Sequence, residues 1–338
     1  MAGAHSRFIG YDDLETDTTT AHAEIVDGRA RVVLAATPFY AESGGQVGDR
    51  GLLQGDGFRI EIDDTLKARG GIVHEGRLVD GELPAAGAAV HAAVDVVSRA
   101  AAARNHTATH LLHEALRRTL GDHVGQMGSL VSADRLRFDF SHFQGMEPEQ
   151  LLQVEQIVNE QIRADLEIAT FEEGLDQTKK LGARALFGEK YGDRVRVVKI
   201  AEFSLELCGG THVRHTGQIG AFDLSIESGI AAGTRRIEAL SGAGAERAAR
   251  QHRQLLGEIS QLLNVPAEGL PDQVRLLQDR TRELEKALAD ARRRAAGDSA
   301  ADLTTGAIDI DGVRVVASRV QVDDIVQLRS MADGIREG

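Results

Sequence analysis

Residues Ala100–Leu120 read AAAARNHTATHLLHEALRRTL, and they mark a change in the character of the chain. Apolar residues recur there at helical spacing, and Gly121 directly afterwards is a good point for a helix to end. The first 97 residues contain short alternating runs separated by glycine-bearing turns. This pattern predicts strands at Ala30–Leu34, Phe58–Ile62 and Val90–Val94. Many short strands at such spacing indicate a small β-barrel.

Beyond the helix, strand and helix patterns mix without a regular β-α-β alternation. Arg135–Phe140 and Val195–Ile200 alternate like strands, whereas Glu149–Leu166 has helical periodicity with Pro148 near its first turn. Such a mixture favours an α+β domain over a doubly wound parallel sheet.

From Glu246 onward the chain is predicted to be helical, with two apolar stripes separated by Pro266 and Pro271. The stripes are formed by Leu255, Leu256, Ile259, Leu262 and Leu263, and by Val274, Leu277, Thr281, Leu284, Leu288 and Ala291. The pattern fits an antiparallel helical hairpin or a coiled coil between chains. After Gly306, a hairpin around Asp311-Gly312 and a helix from about Asp323 are predicted.

The predicted fold class is therefore α+β, with four successive parts. Residues 1–97 form a small β-barrel, residues 98–245 an α+β domain, and residues 246–298 the helical hairpin or coiled coil. Residues 299–338 are the beginning of a C-terminal α/β globular domain.

Composition indicates a folded protein and leaves its partners open. Of 338 residues, 42% are hydrophobic and only five are proline, so sizeable cores can form. A formal net charge of −13 does not favour nucleic-acid binding, although a local basic strip would suffice for it. The single cysteine excludes an internal disulfide, and no apolar run approaches membrane-spanning length. A cytoplasmic protein without a membrane partner is expected.

Two short motifs contain metal-ligating side chains. In HTATH (106–110), His106 and His110 are four residues apart, so a helix places both imidazoles on one face. In CGGTH (208–212), the glycines favour a tight turn that can bring Cys208 and His212 to the same ion. Thiolate and imidazole are ligands that zinc prefers, and four of them can complete a tetrahedron.

Each motif also has an ordinary interpretation when it is taken alone. A histidine pair at this spacing occurs by chance, and a buried cysteine is often an inert thiol. A zinc site with four protein ligands is structural, whereas a catalytic site keeps an open position, and the pattern fits either. A metalloprotease is disfavoured, because the histidine pair lacks the acidic neighbour that would act as a base.

At these motifs the sequence resembles the editing region shared by alanyl-tRNA synthetases and related free-standing trans-editing proteins. The resemblance covers essentially the whole chain. It rests on the stretches HTATHLLH (106–113), GQMGSLV (125–131), RLRFDFSHF (135–143), LCGGTHV (207–213) and 217–242, and upstream on FIGYDDL (8–14) and FYAESGGQVGDRG (39–51).

This resemblance implies that the α+β part is an editing domain with a zinc site. The family hydrolyses Ser-tRNA(Ala) and Gly-tRNA(Ala), which the synthetic site makes in error. The domain that activates alanine with ATP is not among these residues, so we expect the C-terminal part of an alanine–tRNA ligase. A stand-alone trans-editing deacylase is the alternative. The implied partner is the acceptor end of tRNA(Ala), with a homodimer formed through the C-terminal helices and a C-terminal domain that would follow them.

The resemblance also assigns roles to individual residues. His106, His110, Cys208 and His212 match the metal ligands. Gln126 matches a residue implicated in discriminating serine, although without the resemblance it would be a surface glutamine. Arg235 matches an arginine near the tRNA end, with Arg236 beside it, although a strand-edge surface arginine is the alternative. Thr107 is a weaker pocket candidate, since its hydroxyl can bond to its own helix backbone.

Three functions compete on this evidence. An editing enzyme releases the amino acid from mischarged tRNA. A zinc-stabilised module would bind tRNA without catalysis. An oligomerisation segment would depend chiefly on the C-terminal helices.

Overall fold

The computed structural model describes residues 6–68, 71–184, 192–321 and 325–337. By their internal contacts these residues fall into two compact units, residues 1–250 and 251–338. The first unit contains both strands and helices, and it includes the two motifs with metal-ligating side chains. The second unit is mainly helical.

The first unit begins with strands of a closed barrel. The N-terminal strands are β1 (Arg7–Phe8), β2 (Glu15–Val26), β3 (Arg29–Leu34), β4 (Ala36–Thr37), β5 (Gly51–Gly55), β6 (Phe58–Ala68), β7 (Gly71–Gly81) and β8 (Ala89–Val94). The short strands β1 and β4 pair with each other in parallel, outside the barrel. The barrel closes in the order β2-β3-β7-β6-β5-β8. Its inward-facing residues alternate along the strands, and Leu34, Leu53 and Ile60 are fully buried. The small N-terminal barrel predicted from the sequence is confirmed.

An α+β region follows the barrel. Its elements are α1 (Val96–Leu120), β9 (Gln126–Val131), β10 (Leu136–Ser141), α2 (Pro148–Arg163), β11 (Ile168–Gly174), α3 (Leu175–Lys180), β12 (Arg194–Ile200), β13 (Ser204–Leu207), β14 (Phe222–Ala231) and β15 (Thr234–Ser241). One antiparallel sheet has the order β14-β15-β10-β9 and the other the order β11-β12-β13. Helix α1 packs between these sheets and α2, and the core includes Leu111, Leu112, Phe138 and Phe140.

The barrel and the α+β region share a buried ion pair. Arg99 in the first turn of α1 donates to both carboxylate oxygens of Asp49, which lies in the loop before β5. Its other nitrogens donate to the carbonyls of Gly10 and Pro38. Both charged side chains are only 5% exposed, so breaking the pair would leave one charge buried without a partner. The barrel loops are thereby fixed beside α1.

The C-terminal part is helical with one short hairpin. It contains α4 (Ala243–Leu263), α5 (Leu270–Thr305), β16 (Ile308–Ile310), β17 (Val313–Val315) and α6 (Ile325–Glu337). Asp311 and Gly312 both have positive φ in the turn between β16 and β17, as a two-residue hairpin loop requires. The predicted helix start at about Asp323 lies outside the described residues. None of the described helices has the length and apolar character needed to cross a membrane.

The predicted antiparallel hairpin of residues 246–298 requires a correction. Such a hairpin would bury the two apolar stripes against each other, yet Leu262 is 84% exposed and Leu284 is 62% exposed. Helix α5 packs against α6 instead. The stripes are therefore available surfaces in the described chain, and a coiled coil between chains stays a prediction.

Candidate metal centre

Helix α1 supplies two imidazoles from successive turns of one face. The helix begins after Asp95, whose carboxylate accepts hydrogen bonds from two amides of the first turn, and it ends at Gly121. His106 and His110 are both buried, and their rings stack with centroids 5.4 Å apart. The helix thus orients the first pair of ligands by its own periodicity.

The second pair lies in an irregular turn. The chain leaves β13 at Leu207, and Cys208 Sγ comes within 3.3 Å of the Nε2 atoms of both His106 and His212. The amide of Gly210 donates to the same sulfur at 3.4 Å. One ligand atom from each of the four motif residues lies within 4.8 Å of all the others. The two distant motifs therefore meet in one cluster that could hold a metal ion.

An unpaired nitrogen supports the fit of this cluster to a cation. His110 Nε2 is buried, and no described residue forms a hydrogen bond with it. A buried polar atom without a partner is costly unless something else satisfies it. The other three ligand atoms face the same space, and three imidazole nitrogens with one sulfur suit a tetrahedral ion. The residues present fit a metal ion.

Each histidine of the cluster is fixed through its other ring nitrogen. In every case Nδ1 contacts an oxygen: Gln46 Oε1 for His106 (2.7 Å), Glu206 Oε2 for His110 (2.6 Å) and Thr107 Oγ1 for His212 (3.2 Å). The amide and carboxylate oxygens only accept, and the Thr107 hydroxyl donates to the carbonyl of Ala103. Each Nδ1 therefore carries the proton, which leaves the Nε2 lone pair for an ion.

Two buried anions lie beside these rings. Burial opposes ionisation of Glu206, but the imidazoles of His110 and His113 outweigh it and hold the pKa of the carboxyl well below its usual value. Burial likewise opposes ionisation of Cys208, but the neighbouring histidines lower the pKa of its thiol well below the ordinary range. The thiolate is the form that binds metals.

The pKa values of His110 and His212 are shifted in opposite directions. Burial would lower the pKa of His110, but Glu206 and Cys208 overcome it and raise that pKa to about 10. Burial lowers the pKa of His212 to about 3, because the attraction of Cys208 is too small to offset it. The anions thus attract one positive charge into the cluster, and a bound cation would supply that charge instead.

The turn itself is held through its carbonyl groups. Arg196 Nη1 donates to the carbonyls of Cys208 and Gly210, each at 2.9 Å. The hydroxyl of Tyr11, from the segment before the barrel, donates to the carbonyl of Gly209 at 2.7 Å. The Arg196 guanidinium lies 4.1 Å from the centre of the Tyr11 ring. Three consecutive carbonyls are therefore fixed by two distant side chains.

A groove of about 640 Å³ opens beside His212. Arg104, Arg196 and Arg214 line it, whereas Asp12 is the acidic residue of its wall. Among the described residues, Arg104 and Arg214 form no ion pair, so their charges are available to a ligand. A locally basic groove thus adjoins the metal cluster in a chain of net charge −13.

Comparison with known families supplies the biological context of this site. Residues 3–97, which contain the barrel strands, match the family model described as tRNA synthetases class II (A). Residues 195–238 match the threonyl and alanyl tRNA synthetase second additional domain, and they include the turn with Cys208 and His212. The two matches support a relationship to the alanyl/threonyl-tRNA synthetases and their editing domain.

The match to the second additional domain indicates a tRNA-synthetase-related editing role, which implies an interaction with tRNA. Helix α1, with its two imidazoles, lies in the sequence between the two matched segments. The cluster therefore joins residues inside the matched editing segment to residues outside it.

Gln126 and Thr107 differ in their contacts with the cluster. Gln126 begins β9, is half-buried, and its amide donates to the hydroxyl of Ser129 at 3.1 Å. No contact among the described residues joins Gln126 to a ligand of the cluster, so its role stays a prediction. The Thr107 hydroxyl does bond to its own helix backbone, and it also contacts His212 and the amide of Val213.

Arg235 and Arg236 lie on β15 and are both paired with carboxylates. Arg235 forms two hydrogen bonds to Glu227 on β14, and Arg236 forms two to Asp139 on β10. These contacts neutralise the arginines locally and leave fewer donors for a phosphate. The contact of these arginines with tRNA stays a prediction, and their ion pairs count against it. Arg104 and Arg214, which line the groove next to His212, are better placed than these two arginines to contact a phosphate near the cluster.

Besides Arg196, three residues that support the site were not identified from the sequence. Gln46, Glu206 and Tyr11 contact the ligands or the turn, from positions far away in the chain or on the edge of the second motif. Gln46 lies in the quoted barrel stretch, and Glu206 precedes Cys208 by two residues, on the same side of an alternating strand. That alternation was the only local signal for Glu206.

Proposed function

We propose that this chain removes serine and glycine from mischarged tRNA(Ala), with Zn²⁺ held by His106, His110, Cys208 and His212. The observation that carries the proposal is the cluster of three imidazoles and one thiol beside a basic groove. The family matches support editing, and the barrel segment with its resemblance to alanyl-tRNA synthetases supports the alanine-specific substrate.

The chemistry of the substrates explains why such a site is needed. A pocket for alanine cannot strongly exclude glycine, which is smaller, or serine, which adds one hydroxyl. A second site can invert this selection by hydrogen-bonding the serine hydroxyl. Alanine would leave those polar groups unpaired, at a cost of about 1–3 kcal/mol per buried group. In the proposal, the Gln126 amide is the group that meets the serine hydroxyl.

In this proposal, residues of the groove bind the tRNA phosphates, and Thr107 positions a metal ligand. Arg104 and Arg214 provide positive charge for the phosphates near the 3′ end of the tRNA. Thr107 fixes the ring of His212, the ligand that borders the groove and is only half-buried. When bound, zinc supplies Lewis acidity at the ester and a fixed charge for positioning the substrate.

Serine release from Ser-tRNA(Ala) tests the proposal. The complete chain loaded with Zn²⁺ is expected to release serine, to stop when a chelator removes the metal, and to recover when Zn²⁺ is restored. The Cys208→Ala variant is expected to be inactive. Ala-tRNA(Ala) is the matched control, and its hydrolysis should be at least about tenfold slower. Absence of serine release by a zinc-loaded, folded chain would overturn the enzymatic function.

A second candidate function is a zinc-stabilised module that binds tRNA without catalysis. It is favoured by one observation, namely that four protein ligands can fill a tetrahedron and leave no open position. This function predicts zinc-dependent tRNA binding with no serine release in the same assay. Release of serine from Ser-tRNA(Thr) but not from Ser-tRNA(Ala) would instead indicate a threonine-specific editing domain.

We also propose that the C-terminal helices mediate a homodimer. Leu277, Leu284 and Leu288 are between 43% and 62% exposed along one stripe of α5, an apolar surface that a second helix could cover. Sedimentation of the complete chain should show a concentration-dependent dimer. Replacing Leu284 and Leu288 by glutamate should yield a monomer with unchanged serine release, and a dimer that persists in this variant would contradict the proposal.

A further inference from the structure

We propose that Gln46, a residue of the barrel, is a positioning residue of the metal centre. Its single amide group joins the His106 ring to the turn that carries Cys208 and His212. The barrel would then be part of the editing site and not only a neighbouring fold. The expected effect on deacylation rests on the proposed function, whereas the expected effect on metal binding does not.

The amide of Gln46 makes three hydrogen bonds in the interior. Oε1 accepts from His106 Nδ1 at 2.7 Å and from the backbone amide of Thr211 at 3.0 Å. Nε2 donates to Thr211 Oγ1 at 2.9 Å. The side chain has no exposed surface. Three bonds from one buried amide leave it little freedom to rotate.

These contacts determine the protonation of the metal ligand. The Thr211 backbone amide can only donate, so the atom of Gln46 that faces it must be the oxygen. The same oxygen faces His106 Nδ1, and that nitrogen must therefore carry its proton. His106 Nε2 is left as a lone pair, 3.3 Å from Cys208 Sγ, on the side where the ligand atoms converge. Gln46 thus orients His106 and selects its metal-binding tautomer.

The loop that carries Gln46 is itself anchored to the α+β region. The carbonyl of Gly45 accepts from the Val131 amide at 2.7 Å, and the Val47 amide donates to the Val131 carbonyl at 3.0 Å. Val131 is the last residue of β9. Asp49, three residues after Gln46, forms the buried ion pair with Arg99 of α1. The position of the Gln46 amide is therefore set by contacts on both sides of it.

The turn packs tightly against the hydrogen-bonded side chains of Gln46 and His106. A Cβ atom at Gly210 would lie 2.0 Å from His106 Cε1 and 3.0 Å from Gln46 Oε1. The backbone of the turn therefore packs directly on the contact between the glutamine and the histidine. Without the amide, the His106 ring could rotate and the Thr211 amide would be buried without an acceptor.

Two variants of Gln46 separate its hydrogen bonds from its volume. Gln46→Met keeps the length of the side chain but removes the acceptor and the donor. Gln46→Glu keeps the acceptor for His106 and for the Thr211 amide. Gln54→Met is the control, because Gln54 is an exposed residue of β5 in the same barrel. The affinity of each complete chain for Zn²⁺ is measured by competition with a chromophoric chelator, without any RNA.

Gln46→Met is expected to lower the Zn²⁺ affinity by about 10–100-fold, which is the usual effect of losing a group that orients a ligand. The visible spectrum of the Co²⁺-substituted protein should change as well, because the ring of one ligand is no longer fixed. Gln46→Glu and Gln54→Met should bind Zn²⁺ within about threefold of the unsubstituted chain. Thermal unfolding of the metal-free proteins shows whether each variant folds.

Wild-type Zn²⁺ affinity in a folded Gln46→Met variant would overturn the proposal, and so would an equal loss in Gln46→Glu. If Gln46→Met does not fold, Gln46→Glu decides, since a loss of more than about tenfold would exclude an acceptor role. A chain that binds Zn²⁺ but releases no serine would refute the proposed function and leave this test intact. A chain that binds no Zn²⁺ would overturn both proposals.

Discussion

The two halves of the metal cluster are built in opposite ways. His106 and His110 lie on a helix of 25 residues, where backbone hydrogen bonds and side-chain packing fix both rings in one direction. Cys208 and His212 lie in a turn without regular structure, held by Arg196 and other side chains from distant parts of the chain. A ligand pair on a helix can therefore be preorganised by local sequence, whereas a pair in a turn depends on its surroundings.

Substitution of Gly210, but not of the adjacent Gly209, should disrupt the turn half most strongly. A Cβ atom at Gly210 would lie 2.0 Å from His106 Cε1, whereas a Cβ at Gly209 would meet no atom within 4 Å. Neither glycine has the positive φ that would itself require glycine. Gly210→Ala should lower Zn²⁺ affinity by about 100-fold or more, because the turn must move away from the histidine.

Gly209→Ala is the control and should bind Zn²⁺ within about threefold of the unsubstituted chain. Chelator competition measures both affinities, and circular dichroism of the metal-free variants checks that they fold. Equal affinities for the two alanine variants would show that the turn adapts freely, which would remove the contrast between the two halves.

Glu206→Gln tests whether the helix half also depends on distant support. Glu206 on β13 contacts both His110 and His113, so His110, like His106 with Gln46, has a partner outside the helix. The two rings face different oxygens of the carboxylate, so a glutamine at this position would present its single oxygen to only one of them, and we expect Zn²⁺ affinity to fall by about tenfold. A loss as large as that of Gly210→Ala would mean that the helix alone does not orient its ligands.

The number of protons released on Zn²⁺ binding provides a second comparison between the unsubstituted chain and the Glu206→Gln variant. In the metal-free protein the pKa of His110 is about 10, above its ordinary value of about 6.5, so the ring is protonated at neutral pH. That proton is retained until the pH rises through about 10. Zn²⁺ binding at pH 7.5 should therefore displace about one proton from His110. Calorimetry in buffers of different ionisation enthalpy should detect it, and Glu206→Gln should release less.

The sequence predicts the helix half and the barrel better than it predicts the turn half. Local periodicity identifies α1 and its end at Gly121, because each residue of a helix interacts mainly with its near neighbours. Ligand chemistry identifies the four side chains that the fold brings into one cluster able to hold a metal ion. Nothing local indicates that Gln46 meets Thr211, since these residues are 165 positions apart. The partner of a long-range contact depends on the fold, which the sequence pattern does not specify.

Long-range contacts that the sequence does not specify also explain why Arg235 and Arg236 were predicted to contact tRNA and the groove arginines were not. The sequence shows that Arg235 and Arg236 are adjacent on a strand, but not that Glu227 and Asp139 lie on the neighbouring strands to pair with them. Conversely, Arg104 and Arg214 are far apart in sequence, and only the fold brings them to one groove. Charge counted along the chain therefore misses a basic surface assembled from separate segments.

Arg196→Met should have a moderate effect on the turn half. The guanidinium donates to the carbonyls of Cys208 and Gly210, and methionine fills similar space without any donor. We expect Zn²⁺ affinity to fall by about tenfold, since two of the three fixed carbonyls lose their partner. Arg194→Met on the same strand is the control, because Arg194 is exposed. An equal effect of the two substitutions would indicate a general loss of positive charge.

Tyr11→Phe should have the smallest effect. It removes only the hydrogen bond to the carbonyl of Gly209, while the ring stays beneath the Arg196 guanidinium. Tyr11 is 46% exposed, so water can replace the lost donor, and the expected change in Zn²⁺ affinity is less than about threefold. Tyr11→Ala also removes the ring that supports Arg196, and its effect should approach that of Arg196→Met. If the two tyrosine variants have equal affinities, the ring contributes nothing, and Arg196 holds the turn without help from the segment before the barrel.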